Sequence, residues 1–230
     1  MALGNYDANG FWHYGESDNI ALFSDTLNKL ADSASSAITS DRSRISTLEA
    51  GSLSGLIPIK PSAVTIATGT GGFNALGTVS FTGATAVNID GIFSSLYRNY
   101  YAEIRWTGTS INATLALRFR ASGADNTAAS YGYTGVQSGS SSSGVFTASA
   151  QTSQWGGYCG TNPSNTELFI MSPQDAAYTN IKVSSIAETN IKYATELFGN
   201  HQTTAQFTGL SLVPASGNIT GFITFYGIND

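Results

Sequence analysis

The sequence is poor in charge and has no long apolar run. Charged residues make up 11% of its 230 residues, less than half of the roughly 25% that is typical of globular proteins. This composition argues against a conventional cytosolic enzyme. No segment approaches the roughly 18 consecutive apolar residues of a transmembrane helix, so we expect no membrane insertion. Residues 1–15 also lack the basic start and apolar middle of a secretion signal, which predicts synthesis in the cytoplasm.

Cysteine and histidine are scarce as well. The chain has a single cysteine, Cys159, and two histidines, His13 and His201. One cysteine excludes an intramolecular disulfide framework, and we expect no zinc site, no other metal and no cofactor. The formal net charge of −5 argues against a nucleic-acid partner, because a sequence-independent nucleic-acid binder needs a basic face.

The N-terminal part of the sequence divides into an aromatic segment and a helix. Residues 1–22 are rich in glycine and asparagine, which predicts an extended segment that docks either on the chain's own fold or on a partner. The aromatic residues of this segment are Tyr6, Phe11, Trp12 and Tyr14. Residues 23–50 contain neither glycine nor proline, and Gly51 follows them as a helix stop.

The predicted helix shows a heptad pattern that is typical of a coiled coil. Its seam is apolar at six of the eight a and d positions, and Ser24 and Asp41 are the exceptions. The apolar positions are Leu27, Ala31, Ala34, Ile38, Ile45 and Leu48. We interpret residues 23–50 as an oligomeric stalk, and the alternative is an amphipathic helix packed on its own domain. The residues at these positions do not favour a three-stranded coiled coil over a two-stranded one.

The remainder of the sequence has a linker followed by an all-β pattern. Residues 51–61 contain two prolines and several Gly and Ser, which predicts a linker. From residue 62 to 230, about eleven short segments rich in β-branched and aromatic residues alternate with Gly, Asn and Ser clusters. The last three predicted strands cover residues 180–186, 203–213 and 219–226. Leu115, Leu117 and Phe119 fall on one face of such a segment. We therefore expect a mostly β protein with a C-terminal β-sandwich of the jelly-roll kind.

No motif in the sequence supports catalysis. The acidic residues of the β-rich part show no spacing that places two carboxylates together, so we expect them to be solvated or paired with arginine. These acidic residues include Asp90, Glu103, Asp125, Glu167, Asp175, Glu188 and Glu196, and the arginines are Arg98, Arg105, Arg118 and Arg120. Cys159 with His201 is a conceivable nucleophile and base, but a lone cysteine is more often an inert apolar residue. We expect a protein that is not an enzyme.

Four aromatic residues in or beside Gly- and Ser-rich segments suggest a carbohydrate site. Aromatic rings stack on the apolar faces of sugars, whose hydroxyl groups need polar partners. The candidate residues are Tyr131, Tyr133, Trp155 and Tyr158. The alternative is that these rings fill the core of the sandwich, and for Trp155 and Tyr158 the two interpretations are about equally supported.

Several segments together carry a resemblance to a known family. They are the helix FSDTLNKLADSASSAI, the strands NYYAEIRW and LRFRASGADNTAASY, and the final ITGFITFYGIND. With the aromatic start and the proline-bearing linker, this order resembles the minor tail proteins or receptor-binding tail fibres of long-tailed phages, particularly those of actinobacterial hosts. The resemblance spans nearly the whole chain.

The resemblance implies a homotrimer in the tail of the virion. Its N-terminal segment would attach to other tail-tip proteins, its helix would form a stalk, and its β-sandwich heads would bind host cell-surface glycan. Two alternatives stay open. In the first, the chain is a glycan-cleaving tail protein in which Glu167 acts together with Asp175 or with Glu188 across subunits. In the second, it is a purely structural component of the tail tip.

Overall fold

The computed structural model describes residues 5–6, 12–13, 16–51, 55–110, 113–139, 143–188 and 192–228. Side chains are described for residues 25–43 and, within the ranges from residue 55 onward, for all residues except Cys159 and Glu188. The chain forms two compact units, Met1–Leu53 and Ser54–Asp230.

The first unit contains one long helix and a short strand pair. Strands β1 (Asn5–Tyr6) and β2 (Trp12–His13) pair antiparallel, and helix α1 spans Glu16–Gly51. The helix begins seven residues before the predicted residue 23. Every described side chain of the helix, from residue 25 to 43, is exposed. No helix in the described part of the chain has a stretch long and apolar enough to cross a membrane.

The described residues of the second unit form sixteen strands, which confirms the prediction of a mostly β protein with a sandwich after an N-terminal helix. The strands are β3 (Leu56–Ile59), β4 (Ala63–Ala67), β5 (Thr70–Phe73), β6 (Val79–Ala84), β7 (Ala86–Asp90), β8 (Asn99–Gly108), β9 (Ala113–Ala121), β10 (Ala124–Asp125), β11 (Tyr131–Gly139), β12 (Ser143–Gln151), β13 (Gln154–Cys159), β14 (Ser164–Met171), β15 (Thr179–Glu188), β16 (Lys192–His201), β17 (Gly209–Pro214) and β18 (Ile219–Ile228).

These strands form two antiparallel sheets. The larger sheet has ten strands in the order β12-β11-β16-β15-β14-β8-β18-β6-β5, with β3 paired to β18. The smaller sheet has six strands in the order β10-β9-β17-β7-β4, with β13 paired to β9. Each sheet turns one face to the core, and we call the opposite face of the larger sheet the outer face.

The core lies between the two sheets and follows from the alternation of the strands. In β8, the side chains of Ala102, Ile104 and Trp106 are buried, whereas Glu103 and Arg105 between them are exposed. In β9, Leu115, Leu117 and Phe119 share one face as predicted, and this face points into the core, since all three are at most 1% exposed. Each such side chain contributes about 1.5–3 kcal/mol by leaving water.

Several segments of the second unit differ from the sequence prediction, and β5, β10 and β13 are among the strands that were not expected. Residues 56–59, within the predicted linker, form β3, because their pairing with β18 supplies hydrogen bonds that the isolated segment lacks. Strand β16 was not expected, since Glu196, Gly199 and Asn200 have low strand propensity, yet it pairs along its whole length with β15. The strand expected over residues 203–213 is confined to Gly209–Pro214.

Candidate functional site

The structure brings three of the four predicted carbohydrate-site residues into one aromatic cluster. Trp155 contacts Tyr158 edge to face, with ring centroids 5.1 Å apart. Phe146 lies 5.1 Å from Trp155 and 6.2 Å from Tyr133, and Tyr193 stacks on Tyr158 at 4.7 Å. All five rings are half-buried.

Glycines make room for this cluster. A Cβ at position 139 would lie 2.6 Å from the ring of Tyr193, and one at position 135 would lie 3.0 Å from the ring of Phe146. Tyr133, Phe146 and Trp155 also pack against the core. The cluster therefore contributes to packing between β11, β12 and β13, while each of its residues stays partly exposed to solvent.

The structure corrects the assignment of Tyr131 to a binding site. Its side chain is 0% exposed, and its hydroxyl oxygen accepts a hydrogen bond from Phe119 N (2.9 Å) and donates one to the carbonyl of Asn126 (3.0 Å). Burial raises the pKa of Tyr131, so the phenol is a neutral donor. Its ring is a core side chain that no ligand in solvent can reach.

His201 lies beside Tyr131 in the core. Its ring meets that of Tyr131 edge to face at 4.5 Å, and its Nδ1 lies 2.9 Å from Thr203 Oγ1. Burial lowers the pKa of His201, so the imidazole is neutral at neutral pH. The partner that the sequence suggested, Cys159, has its side chain outside the described residues. A fully buried ring of this kind serves packing, because a catalytic base must reach its substrate.

The acidic side chains show the expected pairing with arginine at three positions. Arg120 is 7% exposed and forms ion pairs with Asp90 (2.9 Å) and Asp125. Arg98 pairs with Asp175 at 3.4 Å. The prediction of arginine-paired acids is therefore confirmed for Asp90, Asp125 and Asp175.

The carboxylate pair considered for cleavage is arranged differently from the hypothesis. Glu167 lies directly opposite Glu103 on the neighbouring strand, and both side chains are exposed on the outer face. Asp175 is held by Arg98, and the side chain of Glu188 is outside the described residues. Among the described residues, no group of three or more His, Cys, Asp and Glu side chains is close enough to hold a metal ion.

A polar groove with one exposed ring lies on the larger sheet, where β11, β12, β15 and β16 run side by side. Its volume is about 440 Å³, and Phe198 beside it is 57% exposed. The other lining residues are Gly132, Tyr133, Thr134, Thr147, Ala148, Ser149, Asn180, Gly199, Asn200 and Gln202. No charged side chain is among the described residues that line it. We call this feature the Phe198 groove.

The sheet register explains why amide groups surround Phe198. Asn200 follows Phe198 by two residues on β16 and therefore shares its face, and Asn180 lies directly opposite Asn200 on β15. Gln202 follows Asn200 by two residues along the chain. A Cβ at position 132 would lie 2.9 Å from Gln202 Nε2 and 3.5 Å from Asn200 Oδ1. The glycine at position 132 thus leaves the space in which these two amides converge.

Chemically, the Phe198 groove offers an apolar ring beside hydrogen-bond donors and acceptors. Three amide side chains can each donate and accept, and the hydroxyls of Thr134 and Thr147, which are hydrogen-bonded to each other at 3.0 Å, retain acceptor capacity. The sequence did not reveal this site, because four of its residues lie on β16 or just after it, in a strand that was not predicted. The alternation of Phe198 and Asn200 is the signal that could have indicated it.

Comparisons with known proteins give no family. No protein-family model matches the sequence, and no curated protein matches it. Among solved structures, peanut lectin with a 9-residue peptide has a TM-score of 0.26 and 8% identity, covering 74% of this chain and 97% of the lectin. Lectin UEA-II complexed with galactose has a TM-score of 0.27 and 6% identity, covering 74% and 96%. The Lotus tetragonolobus seed lectin has a TM-score of 0.23 and 6% identity, covering 75% and 96%. Likeness at such low TM-scores carries no argument about this chain.

Proposed function

We propose that this chain is a minor tail protein or tail fibre of a long-tailed phage, and that its β-sandwich binds host cell-surface glycan without cleaving it. The protein then resides in the virion tail, with its N-terminal segment on other tail-tip proteins. The Phe198 groove is the observation that supports glycan binding, and the resemblance given by the sequence supports the phage assignment.

The groove matches the chemistry of a sugar in two respects. The exposed ring of Phe198 provides an apolar surface for the C–H face of a sugar ring. The amides of Asn180, Asn200 and Gln202 stand beside it and can pair with hydroxyl groups. A ring flanked by amides binds weakly on its own, and several copies on one stalk raise the overall affinity through effective concentration.

Replacing Phe198 with alanine should abolish most of the glycan binding. We expect the affinity for host cell-wall glycan to fall by about tenfold or more, the loss typical of an interface residue worth 1.4 kcal/mol or above. Calorimetric titration of host-wall fragments measures this. The matched control is Phe222→Ala, because Phe222 is also exposed (41%) on the outer face but lies outside the groove.

Three results would contradict this proposal. Equal loss of binding in both phenylalanine variants would point to a general effect of the sheet surface rather than to the groove. Absence of binding by the wild-type chain to host cells, together with assembly defects on deletion, would favour a structural tail-tip component. Release of reducing ends from host glycan would favour a glycan-cleaving protein, with Glu103 and Glu167 as the carboxylates that face each other.

Oligomerisation through α1 is the second part of the proposal, and the described part of the helix supports it. Leu27 and Ile38 are 49% and 55% exposed, and Ala31 and Ala34 are exposed as well. The side chains of Ile45 and Leu48 are outside the described residues. Because an isolated helix gains little stability in water, burial of this apolar row against other copies stabilises it. We propose a homotrimer in which the β-sandwiches, rather than the helix, set the number of subunits.

Light scattering at several concentrations tests the trimer. We expect the full chain to have three times its monomer mass of 24.0 kDa. A shortened chain should begin at Ser54 rather than at residue 62, because a later start removes β3. A trimer of the shortened chain places the interface in the sandwich. Monomers of both chains would contradict the stalk and the tail-fibre assignment with it.

A further inference from the structure

The ring of Phe198 belongs to a row of side chains that crosses the outer face. The sheet register places Tyr226 opposite Tyr101, Tyr101 opposite Phe169, Phe169 opposite Lys182, and Lys182 opposite Phe198. The rings of Tyr101 and Tyr226 are 6.0 Å apart, and Lys182 Nζ lies 5.8 Å from the ring of Phe198. All members of this row are exposed or half-exposed. We call it the aromatic row.

The aromatic row is longer than one sugar. From Tyr226 on β18 to Phe198 on β16 it crosses four strand spacings, which amounts to about 19 Å at the usual spacing of about 4.8 Å. A linked hexose advances a glycan chain by a distance close to one strand spacing. Successive sugars of a linear chain laid across the strands would therefore meet successive members of the row.

Polar residues flank the aromatic row on both sides. Along each strand, the residues two positions away share the face of the row. On one side these positions carry three amides and two apolar side chains, namely Asn99, Asn180, Asn200, Met171 and Ile228. On the other side they carry three carboxylates and two hydroxyls, namely Glu103, Glu167, Glu196, Ser184 and Thr224. Hydroxyl groups on both edges of a sugar chain would thus find partners.

The flank of the aromatic row that carries carboxylates also disfavours negatively charged ligands. Tyr101 lies next to Glu167 and Glu103, and burial together with these charges raises the pKa of Tyr101 to about 12. Glu196 accepts a hydrogen bond from Ser184 Oγ (2.6 Å) and pairs with Lys182 (3.3 Å). Lys182 is paired with Glu196, and Arg105 lies two residues from Glu103 on the same face, so one of the three carboxylates remains in excess along this edge. This excess would repel a sugar bearing a carboxylate or phosphate.

From this arrangement, and resting on the proposed function, we infer that the ligand is a neutral, linear polysaccharide chain that lies across the strands along the aromatic row. The Phe198 groove binds one end of the bound stretch, and Phe169, Tyr101 and Tyr226 bind the sugars that follow. The head then recognises the interior of a polymer, not a single terminal sugar.

Affinity as a function of oligosaccharide length tests the inference. The probes are neutral linear glucan, mannan and galactan series from disaccharide to hexasaccharide, titrated into the full chain. For the series that binds, we expect affinity to rise with length up to about the tetrasaccharide or pentasaccharide, the length of four strand spacings. Tyr226→Ala and Tyr101→Ala should lower the affinity for the hexasaccharide by about tenfold and leave that for the disaccharide unchanged.

Two controls separate the row from folding and from the proposed function. Tyr226→Phe keeps the ring and should lose less affinity for the hexasaccharide than Tyr226→Ala, whereas Phe222→Ala, on the same strand but off the row, should bind as the wild type. An affinity that does not depend on oligosaccharide length, or a Tyr226→Ala variant that binds the hexasaccharide as tightly as the wild type, would contradict binding along the aromatic row. Neither result would contradict binding at the Phe198 groove. Stronger binding of uronic acid chains of equal length overturns the neutral ligand. Failure of every series to bind contradicts the proposed function itself.

Discussion

Replacing Arg120 with methionine should lower the free energy of unfolding of the β-sandwich by about 3 kcal/mol, the lower end of the range for breaking a buried ion pair. The guanidinium holds Asp90 through Nε (2.9 Å) and Nη2 (3.2 Å), and it holds Asp125 and Ser211 through Nη1. The two carboxylates are only 23% and 21% exposed. Without the guanidinium, both remain poorly hydrated, although Asp125 keeps a weaker ion pair with Arg118 at 3.6 Å.

Denaturant unfolding at fixed protein concentration measures this loss, and Arg98→Met is the matched control. Arg98 also pairs with an aspartate, Asp175, but the two side chains are 67% and 45% exposed. Exposed pairs contribute at most about 1 kcal/mol, so this variant should stay close to the wild type. Equal destabilisation by the two substitutions would show that burial is not the reason for the effect.

The faces of the strands could be predicted from the sequence where the alternation was clean. Leu115, Leu117 and Phe119 occupy every second position, and a period of two places such residues on one face regardless of the partner strands. That the acids of the β-rich part are either solvated or paired with arginine was also expected, because acidic side chains are seldom buried without a cation. Which acid meets which arginine depended on the register between β7, β9 and β10, which is set by contacts distant in sequence.

Strand β16 shows why part of the fold and of the site could not be predicted from the sequence. Its Glu196, Gly199 and Asn200 lower the local strand propensity, and the strand forms because β11 and β15 satisfy its backbone on both sides. The Phe198 groove depends on that strand and on the facing β15. Aromatic residues beside glycine suggested a site at Tyr131, but neighbouring residues in sequence do not indicate how deep a ring lies in the sandwich.

The complete burial of Tyr131 predicts the second large effect, a loss of stability when this side chain is replaced. The ring stacks on Phe119 with centroids 6.1 Å apart and lies 4.5 Å from His201. Its hydroxyl joins Phe119 N to the carbonyl of Asn126, so it ties β9 and β11, which belong to different sheets. Removal of the ring leaves a cavity at this junction and removal of the hydroxyl leaves a buried N–H without an acceptor.

Tyr131→Ala should therefore destabilise the sandwich by about 3–5 kcal/mol, and Tyr131→Phe by about 1–3 kcal/mol, the cost of the orphaned N–H. Thermal and denaturant unfolding measure both, with Tyr178→Ala as control, because Tyr178 is 53% exposed and should change stability by no more than about 0.5 kcal/mol. Below the unfolding transition, Tyr131→Phe should bind glycan as the wild type, since its ring does not reach solvent. A Tyr131→Phe variant that is as stable as the wild type but binds glycan more weakly would return Tyr131 to the binding site and contradict its place in the core.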